Sequence, residues 1–340
     1  MDATSASTDP SPIRRSIIPT AFVTGASGLI GRATANAMEA DGWTVVRSDR
    51  AAPPTEAGPS AKFLRRELDE IVPADLDGCD VLVHVAAMTL SAQQARFGES
   101  AADQASAEGM LASNVTATDQ LFRAALEAGA SGVVYTSTSG VYGLPENHPD
   151  LPPGAAVGSR GPFAPASLYA QTKFLGEGLA EYYATIGSTR FVSIRPTFVY
   201  GLDRRTGVPG MFAQFIVDAI EGRPAVLRSP FGALGRLQPM YAPDIGVAIR
   251  ACADLLVIGA LPPYSAINSP TRDLLTVAEM VEIIGRESGN ESLSIEVPGD
   301  LIPEMRMPVM ETEDAFRLLG VDQRFPLAAA VRDMRERLGR

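Results

Sequence analysis

The chain has 340 residues, 46% of them hydrophobic and 20% charged, with a formal net charge of −11. That length and apolar fraction fit one large or two moderate globular domains with a sizeable core. The acidic balance excludes a general nucleic-acid or anionic-membrane binder, because phosphate contact needs a basic face, yet it leaves room for a local pocket holding a cofactor phosphate.

Residues 1–18 are rich in Ser, Thr, Asp and Pro, carry Arg14-Arg15, and read as a disordered tail. The apolar stretch after those arginines runs directly into a glycine turn, so it reads as a first strand and not as a signal-peptide core. No apolar run reaches membrane-spanning length; a cytoplasmic protein with no membrane partner is expected. Cys79 and Cys252 lack metal-type spacing, and the two histidines, His84 and His148, lie far apart. Reduced thiols and no metal site are therefore expected.

Ala21-Phe22-Val23-Thr24 reads as a buried strand, Gly25 to Gly31 as a turn, and the following residues to about Ala40 as a helix stopped by Gly42. A second strand covers Trp43 to Ser48 and ends at Asp49, before a Pro/Ala/Gly-rich loop at 51–60. Val81-Leu82-Val83-His84-Val85 is a strand, Asn114 lies in a helical stretch ending near Gly129, and Gly132 to Ser137 is a further strand. After a Pro-rich loop at 145–165 comes a helix with Tyr169 and Lys173, then a strand, Phe191 to Arg195, broken by Pro196. Strands alternating with helices at this spacing predict right-handed βαβ units and a Rossmann-type, doubly wound parallel sheet of the α/β class. From about residue 202 the pattern loosens into a smaller, irregular lobe. The expected organisation is a dinucleotide-binding domain at 19–201 and a mainly substrate-binding lobe at 202–340, with some segments returning to the core.

Glycines at 25, 28 and 31 permit a tight turn, close approach of the backbone to a pyrophosphate, and close helix–sheet packing. The helix N-terminus offers N–H groups to the phosphates. Asp49, at the tip of the second strand, suits the ribose hydroxyls of NAD and repels a 2′-phosphate. Arg47 and Arg50 flank it, and an arginine there would suit NADP, so NAD is the first expectation and NADP the second.

Tyr169 and Lys173 are at i and i+4 and share a helical face. A neighbouring ammonium favours the phenolate and brings a tyrosine closer to neutral working pH. Thr136-Ser137-Thr138-Ser139 places hydroxyls at a strand end, where one can hold a substrate oxygen while the tyrosine moves a proton. His84 reads as a packed strand residue.

Taken in order, the glycine turn, His84-Val-Ala-Ala-Met88, Asn114, Ser137-Thr-Ser-Gly-Val-Tyr-Gly143, Tyr169-x-x-x-Lys173 and Arg195-Pro-Thr-Phe-Val-Tyr-Gly201 resemble the extended short-chain dehydrogenase/reductases, the NAD-dependent epimerase/dehydratase family. The resemblance covers about residues 19–250, and Asp314 to Gly320 looks like the family's closing helix. It implies Tyr169 as general acid/base, Lys173 as the holder of the nicotinamide ribose, and Thr138 as the substrate-polarising hydroxyl, a role Ser137 or Ser139 could share. It implies that Gly25, Ser27, Gly28, Leu29, Ile30, Gly31, Asp49, Arg50, Ala86, Ala87, Met88, Asn114 and Ser137 line the cofactor. Glu67 and Leu68 would approach the adenine, with Pro196, Thr197 and Val199 near the nicotinamide. It further implies a homodimer built on the helices of Asn114 and Tyr169.

The chain departs from its relatives at two places. Sugar 4,6-dehydratases carry Asp-Glu after the catalytic threonine, and here Ser139-Gly140 cannot supply that acid and base. Nucleotide-sugar epimerases present an asparagine to the substrate diphosphate where this chain has Phe198, and Arg236 is one position out of register with a second diphosphate ligand. The leading expectation is an NAD-dependent oxidoreductase acting on a secondary alcohol or ketone of a small non-nucleotide substrate: a free sugar, lactone or biosynthetic intermediate. The alternatives are a nucleotide-sugar epimerase with tightly held NAD and a non-catalytic dinucleotide-binding regulator.

Overall fold

The computed structural model describes residues 18–52, 62–89, 107–143, 155–203, 207–297 and 308–340. The tail expected at 1–18, apart from Ile18, lies outside these residues, as do most of the 51–60 loop and the first part of the 145–165 loop. Seven parallel strands make the central sheet: β1 (Thr20–Thr24), β2 (Thr44–Asp49), β3 (Lys62–Arg65), β4 (Val81–His84), β5 (Gly132–Thr136), β6 (Arg190–Arg195) and β7 (Tyr264–Asn268). Their order across the sheet is β7-β6-β5-β4-β1-β2-β3. Strand order therefore reverses between β1 and β4, which opens a crevice at the carboxyl ends of those strands.

Both faces of the sheet are covered, so β4 and β5 are buried at every position and need apolar residues on both sides. On one face α1 (Leu29–Ala40) and α5 (Ala242–Val257) pack over Ala21, Val23, Val81, Val83 and Val134. The two helices touch backbone to backbone at Gly246, where a Cβ would lie 2.5 Å from the Ala33 carbonyl oxygen. The other face carries α2 (Ala117–Glu127) and α3 (Leu168–Tyr183) over Phe22, Leu82, Val133, Tyr135 and Phe191. The chain enters α2 through a helical segment, Ala107–Leu111, and a π-helical turn, Ala112–Thr116, that contains Asn114.

A second core gathers Phe198, Phe212, Phe215, Leu227, Phe231, Met280 and Val331 around α4 (Gly207–Ile220), α6 (Val277–Ser288) and the helix Leu327–Arg337. Two segments beyond residue 202, α5 and β7, sit in the central layers and not in this second cluster. No described helix is long and apolar enough to cross a membrane.

Candidate active site

A cleft of about 790 Å³ lies over the crevice between β1 and β4 and runs from the tip of β2 to the N-terminal end of α3. Its first wall is the turn between β1 and α1. Gly25 has φ +68°, and a Cβ there would come 2.7 Å from the Ala86 nitrogen; a Cβ on Gly31 would come 2.1 Å from the Gly25 carbonyl oxygen. Only glycine lets the backbone fold this tightly. Gly28 caps α1 in an extended conformation with no side-chain cap, which leaves first-turn N–H groups to an anion.

Asp49 closes β2 and lines the cleft. Its Oδ2 accepts the Ser27 N–H at 3.0 Å and its Oδ1 the Ala51 N–H at 2.9 Å. Ser27 Oγ donates to the Ala52 carbonyl at 3.0 Å. Arg47 points away: its buried guanidinium donates to Asn36 and to both oxygens of Glu39. It is not available to a ligand. Arg50 lines the cleft, as do Arg66, Glu67 and Leu68.

The next wall follows β4, with Ala86, Ala87 and Met88 on the cleft. Asn114, expected on the cofactor, engages Met88 and Thr172. Its Oδ1 accepts the Met88 N–H at 2.8 Å, and its amide donates to the Met88 carbonyl at 2.8 Å and to Thr172 Oγ1 at 3.1 Å. These bonds fix the Met88 segment of the wall. His84 is a core residue, set between the hydroxyls of Thr24 and Thr118 at 2.9 and 3.0 Å. Burial holds its imidazole neutral, well below the usual histidine range.

Thr136, Ser137, Thr138, Ser139 and Gly140 bring the end of β5 to the cleft, facing Tyr169 and Lys173 of α3 and Pro196, Thr197 and Val199 after β6. Thr138 Oγ1 accepts the Gly140 N–H at 3.1 Å, so its proton remains to be donated. Thr136 Oγ1 and Thr197 Oγ1 are buried without a hydrogen-bond partner among the described residues.

Ser167 caps α3 by accepting the Ala170 N–H at 3.1 Å, and so fixes the turn that carries Tyr169. Lys173 is 2% exposed, and its Nζ lies 4.1 Å from the centroid of the Tyr135 ring. Burial pushes its ammonium from the ordinary 10.5 down to about 7, against an opposing pull from Glu177. Glu177 anchors a buried network. It takes two hydrogen bonds from Arg195, at 2.8 and 2.6 Å, and one from Ser137 Oγ at 2.5 Å. Arg195 also donates to Tyr142 Oη at 2.7 Å. Sequence reasoning missed Tyr135 and Glu177. The available signal was spacing, since Glu177 follows Tyr169 and Lys173 on the same face of α3.

Phe198 is 8% exposed, lines the cleft, and packs edge-on to Phe212 at 5.5 Å between centroids. Arg236 is an exposed strand residue opposite Thr276 and is not on the cleft wall. The described residues contain no cluster of three or more His, Cys, Asp or Glu side chains that could hold a metal ion.

The model of the NAD dependent epimerase/dehydratase family matches residues 21–251, and the chain belongs to that family. Among its relatives, 33% identity over 211 residues links it to the 4-hydroxy-2-methyl-3-oxo-4-farnesyl-3,4-dihydroquinoline-1-oxide ketoreductase of Stigmatella aurantiaca, covering 58% of this chain and 54% of that protein. It is also 33% identical over 215 residues to the UDP-glucose 4-epimerase of Mycolicibacterium smegmatis, covering 59% of this chain and 63% of that protein. The chain thus spans less than two thirds of the length of either. The NAD complex of Thermus thermophilus UDP-glucose 4-epimerase has the same fold, with a TM-score of 0.74 at 22% identity over 93% of this chain and 99% of that one.

Proposed function

We propose that this chain is an NAD-dependent oxidoreductase that transfers hydride between the nicotinamide and a secondary alcohol or ketone of a small non-nucleotide substrate. The observation that carries this reading is the meeting of Tyr169, Lys173 and Thr138 on one cleft whose other end is the glycine cradle and Asp49.

The cradle suits a dinucleotide because Gly25 and Gly31, where a Cβ would strike neighbouring backbone, keep the turn tight, and the uncapped start of α1 at Gly28 offers N–H groups to a pyrophosphate. When bound, the nicotinamide supplies or accepts the hydride. Tyr169 supplies the matching proton to the carbonyl oxygen, or removes it from the alcohol in the reverse direction. Thr138 donates to the same oxygen and holds it beside the phenol. Lys173 holds the nicotinamide ribose, and its charge favours the tyrosinate. Asp49 accepts the adenosine ribose hydroxyls, and with Arg47 turned into the core and paired to Glu39, NAD is the better fit than NADP.

Epimerisation of a nucleotide sugar is the second reading, suggested by the relative from M. smegmatis. A buried phenyl at 198 weighs against it, since a diphosphate placed there lacks hydrogen-bond partners and unpaired buried charge is costly. Calorimetric titration of the NAD-loaded protein with UDP and UDP-glucose tests the choice. The proposal expects no binding at micromolar concentration, and micromolar binding of either would favour the epimerase.

A further inference from the structure

We infer that the substrate of this cleft is an uncharged ketone or secondary alcohol with an apolar body, seated against a preformed hydrophobic wall, and not a free sugar. The inference rests on the hydride-transfer reading above and narrows its substrate class.

The cleft lining is of two kinds. Hydroxyl-bearing side chains of Thr138, Ser139 and Tyr169 line it on the β5 and α3 side. The same lining includes Phe198, Val208, Pro209 and Phe231 from the C-terminal half, together with Met88. None of these five carries a polar side-chain group.

The wall is rigid. Phe198 and Phe231 belong to the second core and are 8% and 5% exposed. The turn behind Phe231 is closed by Gly235, where a Cβ would lie 2.2 Å from the Phe231 carbonyl oxygen. That turn is tied to α6 by the Val277 N–H donating to the Gly235 carbonyl and the Ala278 N–H to the Ala233 carbonyl, both at 3.0 Å. Both rings are packed into the second core, and this turn is held to α6.

Charge is segregated as well. Among the described lining residues, Asp49, Arg50, Arg66, Glu67 and Asp69 cluster where the tip of β2 meets the segment after β3, and Lys173 is the one ionisable cation at the other end. Two of the hydroxyls already have work: Ser137 donates to Glu177 and Ser167 caps α3. A free sugar brings a hydroxyl on nearly every carbon, and each one buried against Phe198 or Phe231 would lose its hydrogen bonds to water without replacement. A single carbonyl or carbinol oxygen can be served by Tyr169 and Thr138, while methylene or ring carbons gain from leaving water on the apolar lining residues.

The test measures NADH oxidation by the NADH-loaded protein with two panels: 2-alkanones from butanone to nonanone together with 4-alkylcyclohexanones, and open aldoses together with aldonolactones. The inference expects kcat/KM to rise about threefold to fourfold per added methylene, the equivalent of roughly 0.8 kcal/mol each, with aldoses and lactones far below. Val208 is half-buried at the start of α4, where a polar side chain can be accommodated. Val208→Asp should flatten the chain-length dependence and lower kcat/KM for the longest ketone at least tenfold while leaving NADH affinity unchanged. A flat series in the parent protein, or an unchanged slope in Val208→Asp, overturns the inference. Better turnover of sugars than of alkanones also overturns it while leaving hydride transfer intact. Inversion of UDP-glucose without net NADH consumption would instead remove the underlying reading, and the inference with it.

Discussion

Lys173 sits with its ammonium 4.1 Å from the face of the Tyr135 ring, while the Tyr135 hydroxyl reaches the Lys173 carbonyl at 3.4 Å. The ring thus supports both the head and the backbone of the one lysine that the proposed mechanism requires. A cation over an aromatic face gains the more when it is desolvated, and Lys173 is almost wholly withdrawn from water. Tyr135 remains a neutral phenol, because burial raises its pKa well above the ordinary 10.

This arrangement depends on Gly176. A Cβ there would lie 2.1 Å from the Tyr135 hydroxyl, so Gly176→Ala must push α3 or the ring aside. Overpacking of this kind costs about 1–3 kcal/mol. Urea unfolding should show that loss, and NADH affinity should fall with it as Lys173 is displaced. Unchanged stability would mean that the two elements have room to separate.

Titration of Lys173 leaves a mark on stability. Its ammonium titrates near 7 in the fold and near 10.5 when unfolded, so between these values the unfolded chain binds more protons and stability rises with pH. The penalty of burying the charge is complete below about pH 7 and is relieved as the pH climbs toward 10.5. Lys173→Met has no such charge to bury. Its melting temperature relative to the parent protein should therefore be most favourable at pH 6 and should decline steadily toward pH 9. A difference independent of pH would show that the ammonium is not desolvated.

Much of the glycine cradle was legible in the sequence because it obeys a local rule. Gly25, Gly28 and Gly31 are demanded by backbone geometry within a few residues of each other. Tyr169 and Lys173 were legible through helical spacing, and His84 as core because a strand buried on both faces has little use for a free imidazole. What the local sequence around Asn114 does not state is that its side chain engages Met88 and Thr172, partners 26 and 58 residues away. Arg47 and Arg50 looked equivalent beside Asp49. Arg47 sits within β2 and is buried against Glu39, whereas Arg50 follows the strand's end and lines the cleft, and nothing in their local sequence states which acid waits for Arg47. The pairing of Glu177 with Arg195, and of Gly176 with Tyr135, depends on which strand lies under α3. Such contacts are set by the tertiary fold and leave no periodic trace.

Cofactor choice follows from Asp49. Catalytic efficiency with NAD should exceed that with NADP, and Asp49→Ser should narrow the gap by removing a like charge and freeing Arg50 to meet a phosphate. The substitution also releases the Ser27 and Ala51 N–H groups, so some loss with NAD itself is expected. Kinetics with both cofactors decide the matter, and a parent preference for NADP contradicts the assignment.

Self-association should use the outer face of α3, with Ile186 just beyond it and Leu111 at the end of the helical segment before α2. Leu111, Leu175, Tyr182 and Ile186 are 43%, 51%, 58% and 56% exposed, an apolar strip that a second copy of the chain would cover. Phe174, by contrast, is held at home against Phe163. We expect a homodimer in light scattering at micromolar concentration and a monomer for Leu175→Glu. A monomeric parent protein would reject the dimer.

The central claim is that Tyr169 moves the proton that accompanies net hydride transfer, and single-turnover oxidation of bound NADH by a ketone substrate tests it most directly. Tyr169→Phe keeps the ring and removes the transferable proton. The rate should fall roughly 10²–10⁴-fold with NADH affinity nearly unchanged, whereas Lys173→Met should weaken both. Retention of most of the parent rate by Tyr169→Phe would contradict the mechanism.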